Sequence, residues 1–300
     1  MDVGAQVDEA IGTRDFAFRF RSGMTRSCVS ANIDSLRRPP DQEGEIVIKP
    51  EMDEIIIAGD SHTVALLGHR EIEEDFCLLP VEGQSGILGL YGSWPRNAKY
   101  WNALARYAPG RVTVVVWRGN DHNACFLIEQ SPVFDFVCRR SASMRLEEDA
   151  VIIPEAIVRA KFRPSVAPLH DVLSDLTEQP GCRIVVAGTP PPKGDDDELR
   201  SLLRKEAYYC EVAEQLGIAL EEARLTPPII RLKLWQVLQD LYQEQAEQDG
   251  VKFLPVPDIT RDDVGFLKKE FWAPDATHAN AAYGRVMLDH LAHQLRICKT

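Results

Sequence analysis

From residue 54 onward, short apolar runs alternate with longer stretches whose apolar positions recur at helical spacing. The short runs are rich in β-branched residues and predict strands at 54–58, 76–82, 111–117, 183–188 and 251–255. The longer stretches predict helices at 62–70, 95–108, 165–178, 197–217, 228–248 and 279–297. In the helix at 228–248, Leu234, Leu238, Leu241 and Tyr242 share one face, a stripe that reads as core-facing rather than as a dimer surface. Alternation of this kind implies an α/β fold: a mainly parallel sheet of about five strands between two helical layers, with right-handed crossovers.

Residues 1–50 lack this regularity and are expected to form an N-terminal appendage beside a domain spanning 51–300. Two connections exceed what a minimal sheet needs and read as insertions, at about 122–182 and 189–250. Both leave carboxyl ends of strands, so both can shape a pocket.

Three segments carry candidate chemistry. Gly59-Asp60-Ser61-His62 directly follows the run Ile55-Ile56-Ile57-Ala58, which puts a serine on the turn at the carboxyl end of a strand. Trp117-Arg118-Gly119-Asn120-Asp121-His122-Asn123 follows Val112-Thr113-Val114-Val115-Val116 in the same way. Asp275-Ala276-Thr277-His278 lies late in the chain, at the entry to the last helix. Each also has a plainer reading: Ser61 as a helix cap, Asn120 as an Asx turn, Asp275 or Thr277 as an N-cap.

Serine early, asparagine after a middle strand and Asp-x-x-His late resemble the SGNH hydrolase superfamily, also called GDSL-like hydrolases. The resemblance covers most of 54–297 and implies a flavodoxin-like three-layer sandwich. Two positions depart from the family pattern: His62 stands where leucine is usual, and Arg118 where the third block usually begins with glycine. The resemblance implies ester cleavage through an acyl-serine, with Ser61 as nucleophile, His278 as base and Asp275 orienting the imidazole. It implies an oxyanion hole formed by the Ser61 N–H, the Asn120 side chain and a glycine N–H on the loop after the second strand. Of the glycines there, Gly92 is preferred because Ser93-Trp94-Pro95 reads as a helix start, with Gly86 in reserve. His62, His122, Asn123 and Arg118 adjoin these residues and are candidate pocket walls.

Composition narrows the partners. A formal charge of −12 argues against nucleic acid or an anionic membrane surface. No stretch reaches the roughly 20 apolar residues of a membrane span, and no secretory leader is evident. The seven cysteines are scattered without C-x-x-C pairs, which fits a reducing, cytoplasmic compartment. Gly59-Asp60 and Gly119-Asn120-Asp121-His122 loosely echo metal-dependent phosphoesterases, but no Asp-x-His or His-x-His string accompanies them, so no metal or cofactor is expected. No Gly-x-Ser-x-Gly elbow surrounds Ser61. The expected substrate is a small ester, with a short acyl group on a polar or carbohydrate-like carrier. An O-acyltransferase using the same serine and a non-catalytic carbohydrate-binding protein are the alternatives. A homo-oligomer stays open.

Overall fold

The computed structural model describes residues 54–70, 72, 75–93, 96–129 and 131–296, so the appendage expected over 1–50 lies outside the described residues. Its centre is a six-stranded sheet in the order β2-β3-β1-β4-β7-β8. The strands are β1 (Ile55–Gly59), β2 (Phe76–Pro80), β3 (Ile87–Gly92), β4 (Val112–Val116), β7 (Arg183–Ala187) and β8 (Lys252–Leu254). Every pairing is parallel except β2 with β3.

Helices cover both faces. One core cluster joins the sheet to α2 (Ala98–Tyr107), α4 (Glu155–Val166), α5 (Pro168–Thr177) and α8 (Pro228–Gln248). The other joins it to α1 (Thr63–Leu67) and α9 (Ala281–Arg296). Gly284 of α9 sits so close to α1 that a Cβ there would lie 1.7 Å from the Ala65 carbonyl oxygen. The α8 stripe Leu234, Leu238, Leu241 and Tyr242 is buried in the first cluster, and Leu232 and Trp235 reach the second. Between β4 and β7 lie α3 (Asp121–Phe126) and a two-stranded sheet of β5 (Phe134–Asp135) and β6 (Val151–Ile152). Lys233 of α8 pins this insertion: its ammonium meets both carboxylate oxygens of buried Asp135 at 2.9 Å. Between β7 and α8 lie α6 (Asp196–Leu203) and α7 (Ala207–Leu216). No helix of the described residues is long and apolar enough to cross a membrane.

The sheet has one strand more than the five expected. The extra strand is β3, whose Gly89 and Gly92 read as loop residues in the sequence. The helix expected over 197–217 is two helices, α6 and α7, separated by extended backbone at Glu206. The α4 helix was not anticipated.

β1 is held unequally on its two sides. Its register with β4 runs through to Gly59↔Val116, and Asp60 N–H donates to the Val116 carbonyl at 3.1 Å. Its register with β3 stops at Ile57↔Gly89. Beyond that point the Tyr100 hydroxyl replaces the ladder: it accepts from Gly59 N–H at 3.0 Å and donates to the Leu90 carbonyl at 2.9 Å. Arg96 stacks over the Tyr100 ring and donates Nε–H to the Gly59 carbonyl at 3.2 Å. Two buried backbone groups therefore depend on one phenol. Tyr100→Phe would strand both at a cost of about 1–3 kcal/mol per unpartnered group. Urea unfolding should show a lower midpoint with an unchanged slope. A parent-like midpoint would mean that β1 and β3 can close without the wedge.

Candidate functional site

Gly59 ends β1 against β4 so tightly that a Cβ would lie 2.0 Å from the Val116 carbonyl oxygen. Only glycine fits, and the chain then turns into α1 with Thr63 N–H and Oγ1–H both donating to the Asp60 carbonyl. This turn presents the Ser61 side chain, half-buried, at the carboxyl edge of the sheet. His278 Nε2 lies 2.9 Å from Ser61 Oγ. The other ring nitrogen, Nδ1, lies 3.1 Å from Asp275 Oδ2.

The Asp275–His278 turn is built by the same carboxylate. Asp275 Oδ1 accepts N–H bonds from Thr277 at 2.8 Å and His278 at 2.7 Å. Capping and orienting thus coexist on one residue, one oxygen for each. Helix α9 itself is capped by Asn280, whose Oδ1 accepts from Ala282 and Tyr283 N–H. Partial burial by itself would raise the Asp275 pKa; the hydrogen bonds and charge of His278, with the Thr277 N–H, outweigh it and hold the carboxyl well below the ordinary range. Asp275 is therefore ionised at neutral pH and can accept a hydrogen bond from Nδ1–H.

The third segment follows β4. Asn120 stands at the N-cap position of α3, but its side chain makes no capping bond. Its Oδ1 instead accepts from Asn123 Nδ2 at 3.1 Å. That bond occupies the acceptor end of the Asn120 amide and leaves Nδ2 as its donor end. Gly119 N–H is anchored to the buried Tyr242 hydroxyl at 3.0 Å. Arg118 adopts φ 37°, sparsely populated for a side-chain-bearing residue, and its N–H donates to Asp60 Oδ2 at 3.1 Å. Asp60 is thus the tie between the two loops. Burial raises the Asp60 pKa, with Arg118 and Arg96 opposing.

Gly92 is the last residue of β3, not a residue of a loop before a helix; Trp94 and Pro95 lie outside the described residues. In the β2–β3 ladder Val81 N–H bonds Ile87 and Ser93 N–H bonds Asp75, so odd-numbered β3 residues face β2. The even-numbered ones, Gly92 included, direct N–H toward the β1 side. Gly86 stands at the opposite end of the sheet, where its carbonyl accepts from Ile55 N–H. It is far from Ser61 along β1.

Of the four expected pocket walls, three are not surface groups. His62 and His122 are each 2 % exposed, and all four ring nitrogens are shut off from solvent without a well-formed hydrogen bond. His62 packs beneath the site, its ring 5.1 Å from that of His278. Asn123 is buried and works through Asn120, while Arg118 is half-buried with its guanidinium over the Trp117 ring. The sequence reading missed Tyr100, Tyr242 and Asp60 as supports. Only Asp60, adjacent to Ser61, carried a local signal.

No family model matches the chain, and no curated protein does. The fold is similar to that of several solved esterases. An aryl esterase from M. smegmatis is 14% identical, with 81% of this chain and 98% of that one covered at a TM-score of 0.40. A phospholipase A1 from Streptomyces albidoflavus NA297 is 13% identical, with 77% and 94% covered at 0.41. A carbohydrate acetylesterase from Sinorhizobium meliloti is 13% identical, with 80% and 99% covered at 0.36. At these scores none of their activities is carried over to this chain.

The buried histidines make stability depend on pH. Burial lowers the pKa of His62 well below its ordinary value, helped by His278 and His122, and burial lowers that of His122 to about 3. The unfolded chain takes up protons near pH 6.5 that the folded chain refuses, so stability is lost as pH falls below that value. Each ring contributes a slope approaching about 1.4 kcal/mol per pH unit. Urea midpoints between pH 7 and pH 5 should fall for the parent and fall less for His62→Leu and His122→Leu. That window lies above the one in which Asp275 protonates. Variants that keep the full parental slope would show that the rings are not buried neutral.

Proposed function

We propose that this chain is a serine-dependent ester hydrolase of the SGNH type. The observation that carries the reading is the hydrogen-bonded chain from Ser61 Oγ through both nitrogens of His278 to the ionised carboxylate of Asp275. In the proposed reaction His278 Nε2 takes the Ser61 proton as Oγ attacks the ester carbonyl. Asp275 holds Nδ1–H and stabilises the imidazolium. The Ser61 N–H, the Gly92 N–H and the Asn120 amide receive the oxyanion. Collapse expels the alcohol, which takes the proton back from His278. Water, activated by the same imidazole, then frees the acid from the acyl-serine.

The side chains of His278 and Asp275 are 32% and 31% exposed. This partial opening to solvent supports hydrolysis over transfer to a second alcohol. The half-buried Arg96 and Arg118 beside the motifs support a polar carrier, and with it a short acyl group.

A panel of short-chain and long-chain aryl esters and acetylated sugars, assayed without any acceptor alcohol, tests the reading. Turnover should be highest on short acyl groups. Ser61→Ala should lower kcat by a factor on the order of 10³ or more with folding unchanged, and a fluorophosphonate should label Ser61. A Ser61→Ala variant as active as the parent would sink the proposal.

Asn120 separates an oxyanion donor from a turn former. Asn120→Ala removes the amide, and Asn120→Asp puts a negative charge where the oxyanion forms. Both should lose on the order of 10²-fold in kcat with KM little changed. Parent-like kcat in Asn120→Asp would remove Asn120 from the mechanism and leave Ser61 and His278 in it.

A further inference from the structure

The turn that carries Asp275 and His278 is gripped from outside by two charged residues of the long connection between β7 and α8. Lys193 follows the buried run Pro190-Pro191-Pro192 and is itself only 2 % exposed. Its ammonium donates to the carbonyl of Ala273 at 2.8 Å and to the carbonyl of Asp275, and lies 5.2 Å from the centre of the Trp272 ring. The Lys193 backbone is fixed in turn, because buried Arg231 donates Nη2–H to its carbonyl at 3.1 Å. On the other side, Glu206 Oε1 accepts the N–H of Ala276 at 2.6 Å. Glu206 stands at the N-cap of α7 and makes no capping bond there. Its carboxylate serves the turn instead.

We infer that Lys193 and Glu206 are positioning residues for the hydrolysis proposed above, on which this inference rests: they clamp the backbone before and after Asp275 so that its carboxylate holds His278 within reach of Ser61. Neither touches the reacting atoms. The turn needs such a clamp because the N–H groups of Thr277 and His278 both bond one oxygen of a carboxylate that must also face the imidazole. A buried cation on the Ala273 and Asp275 carbonyls and a carboxylate on the following N–H, that of Ala276, oppose rotation of the Asp275–Ala276 peptide from both sides. Burial lowers the Lys193 pKa to about 8, with Asp275, Glu206 and Glu198 opposing, so the ammonium is the main form at neutral pH.

The test combines a readout that needs no substrate with one that does. In the parent, proton NMR should show a low-field resonance for the His278 Nδ1–H bonded to Asp275, together with slow amide exchange at Ala276. Lys193→Met and Glu206→Ala should broaden or abolish that resonance and speed Ala276 exchange at least about tenfold. Glu206→Gln keeps an acceptor oxygen and should stay close to the parent. On a cleaved ester, Lys193→Met and Glu206→Ala should lower kcat by about tenfold to a hundredfold with KM within about twofold, the scale expected for a misplaced catalytic group. Should Lys193→Met fail to fold, the Glu206 pair decides. An unshifted resonance and parental exchange in Glu206→Ala would overturn the clamp, whether or not the chain cleaves esters. Absence of any ester turnover or Ser61 labelling in the parent would instead overturn the hydrolase reading, with the NMR comparison still deciding the clamp.

Discussion

The site depends on how β1 ends. On the β4 side the strand stays zipped past Gly59, and the fit there is so close that no side chain is tolerated. On the β3 side it is pried open by the Tyr100 hydroxyl. A parallel sheet continued to its natural end would bury Gly92 N–H in a ladder bond. The wedge interrupts that ladder beside the strand that delivers Ser61. Fixing one flank and opening the other is what turns an ordinary strand end into a place where a carbonyl could sit.

Around that edge polar groups tie the loops to one another and to the core. Asp60 ties the β1 loop to the β4 loop through Arg118 N–H. Tyr242 anchors Gly119. Asn123 sets the orientation of the Asn120 amide. The Gly119 bond is buried and the Arg118 bond runs to a carboxylate, conditions under which hydrogen bonds fix geometry firmly. Arg118 illustrates the strength of the restraint, since its backbone is kept in a region that ordinarily favours glycine.

The α/β architecture was legible in the sequence because β1, β4 and β7 are uninterrupted apolar runs, as strands buried on both faces must be. β3 was not, because Gly89 and Gly92 break the run Ile87-Leu88-Gly89-Leu90-Tyr91-Gly92. Gly89 is there for packing: a Cβ would lie 3.0 Å from the Leu67 side chain. The break between α6 and α7 was hidden for a different reason. Glu206 reads locally as a good helix former, and what unwinds it is a partner 70 residues away. Ser61, Asn120, Asp275 and His278 stood out because each lies next to a strand or helix end that periodicity reveals. Their supports, Tyr100, Tyr242, Lys193 and Glu206, act across the fold and leave no local pattern.

Ser61 and His278 are 217 residues apart in sequence. A chain growing from the ribosome therefore exposes its serine early, as an unremarkable hydroxyl in a turn, while the imidazole that would deprotonate it has not been synthesised. Nearly the whole sheet must be in place before the two can meet, since β8 and α8 both precede His278. On the proposed mechanism, the nucleophilicity of Ser61 therefore waits for a residue supplied late in the chain. If Ser61 acts as proposed, a nascent copy lacks the base that would activate it, and labelling of Ser61 would report that the segment carrying His278 has docked.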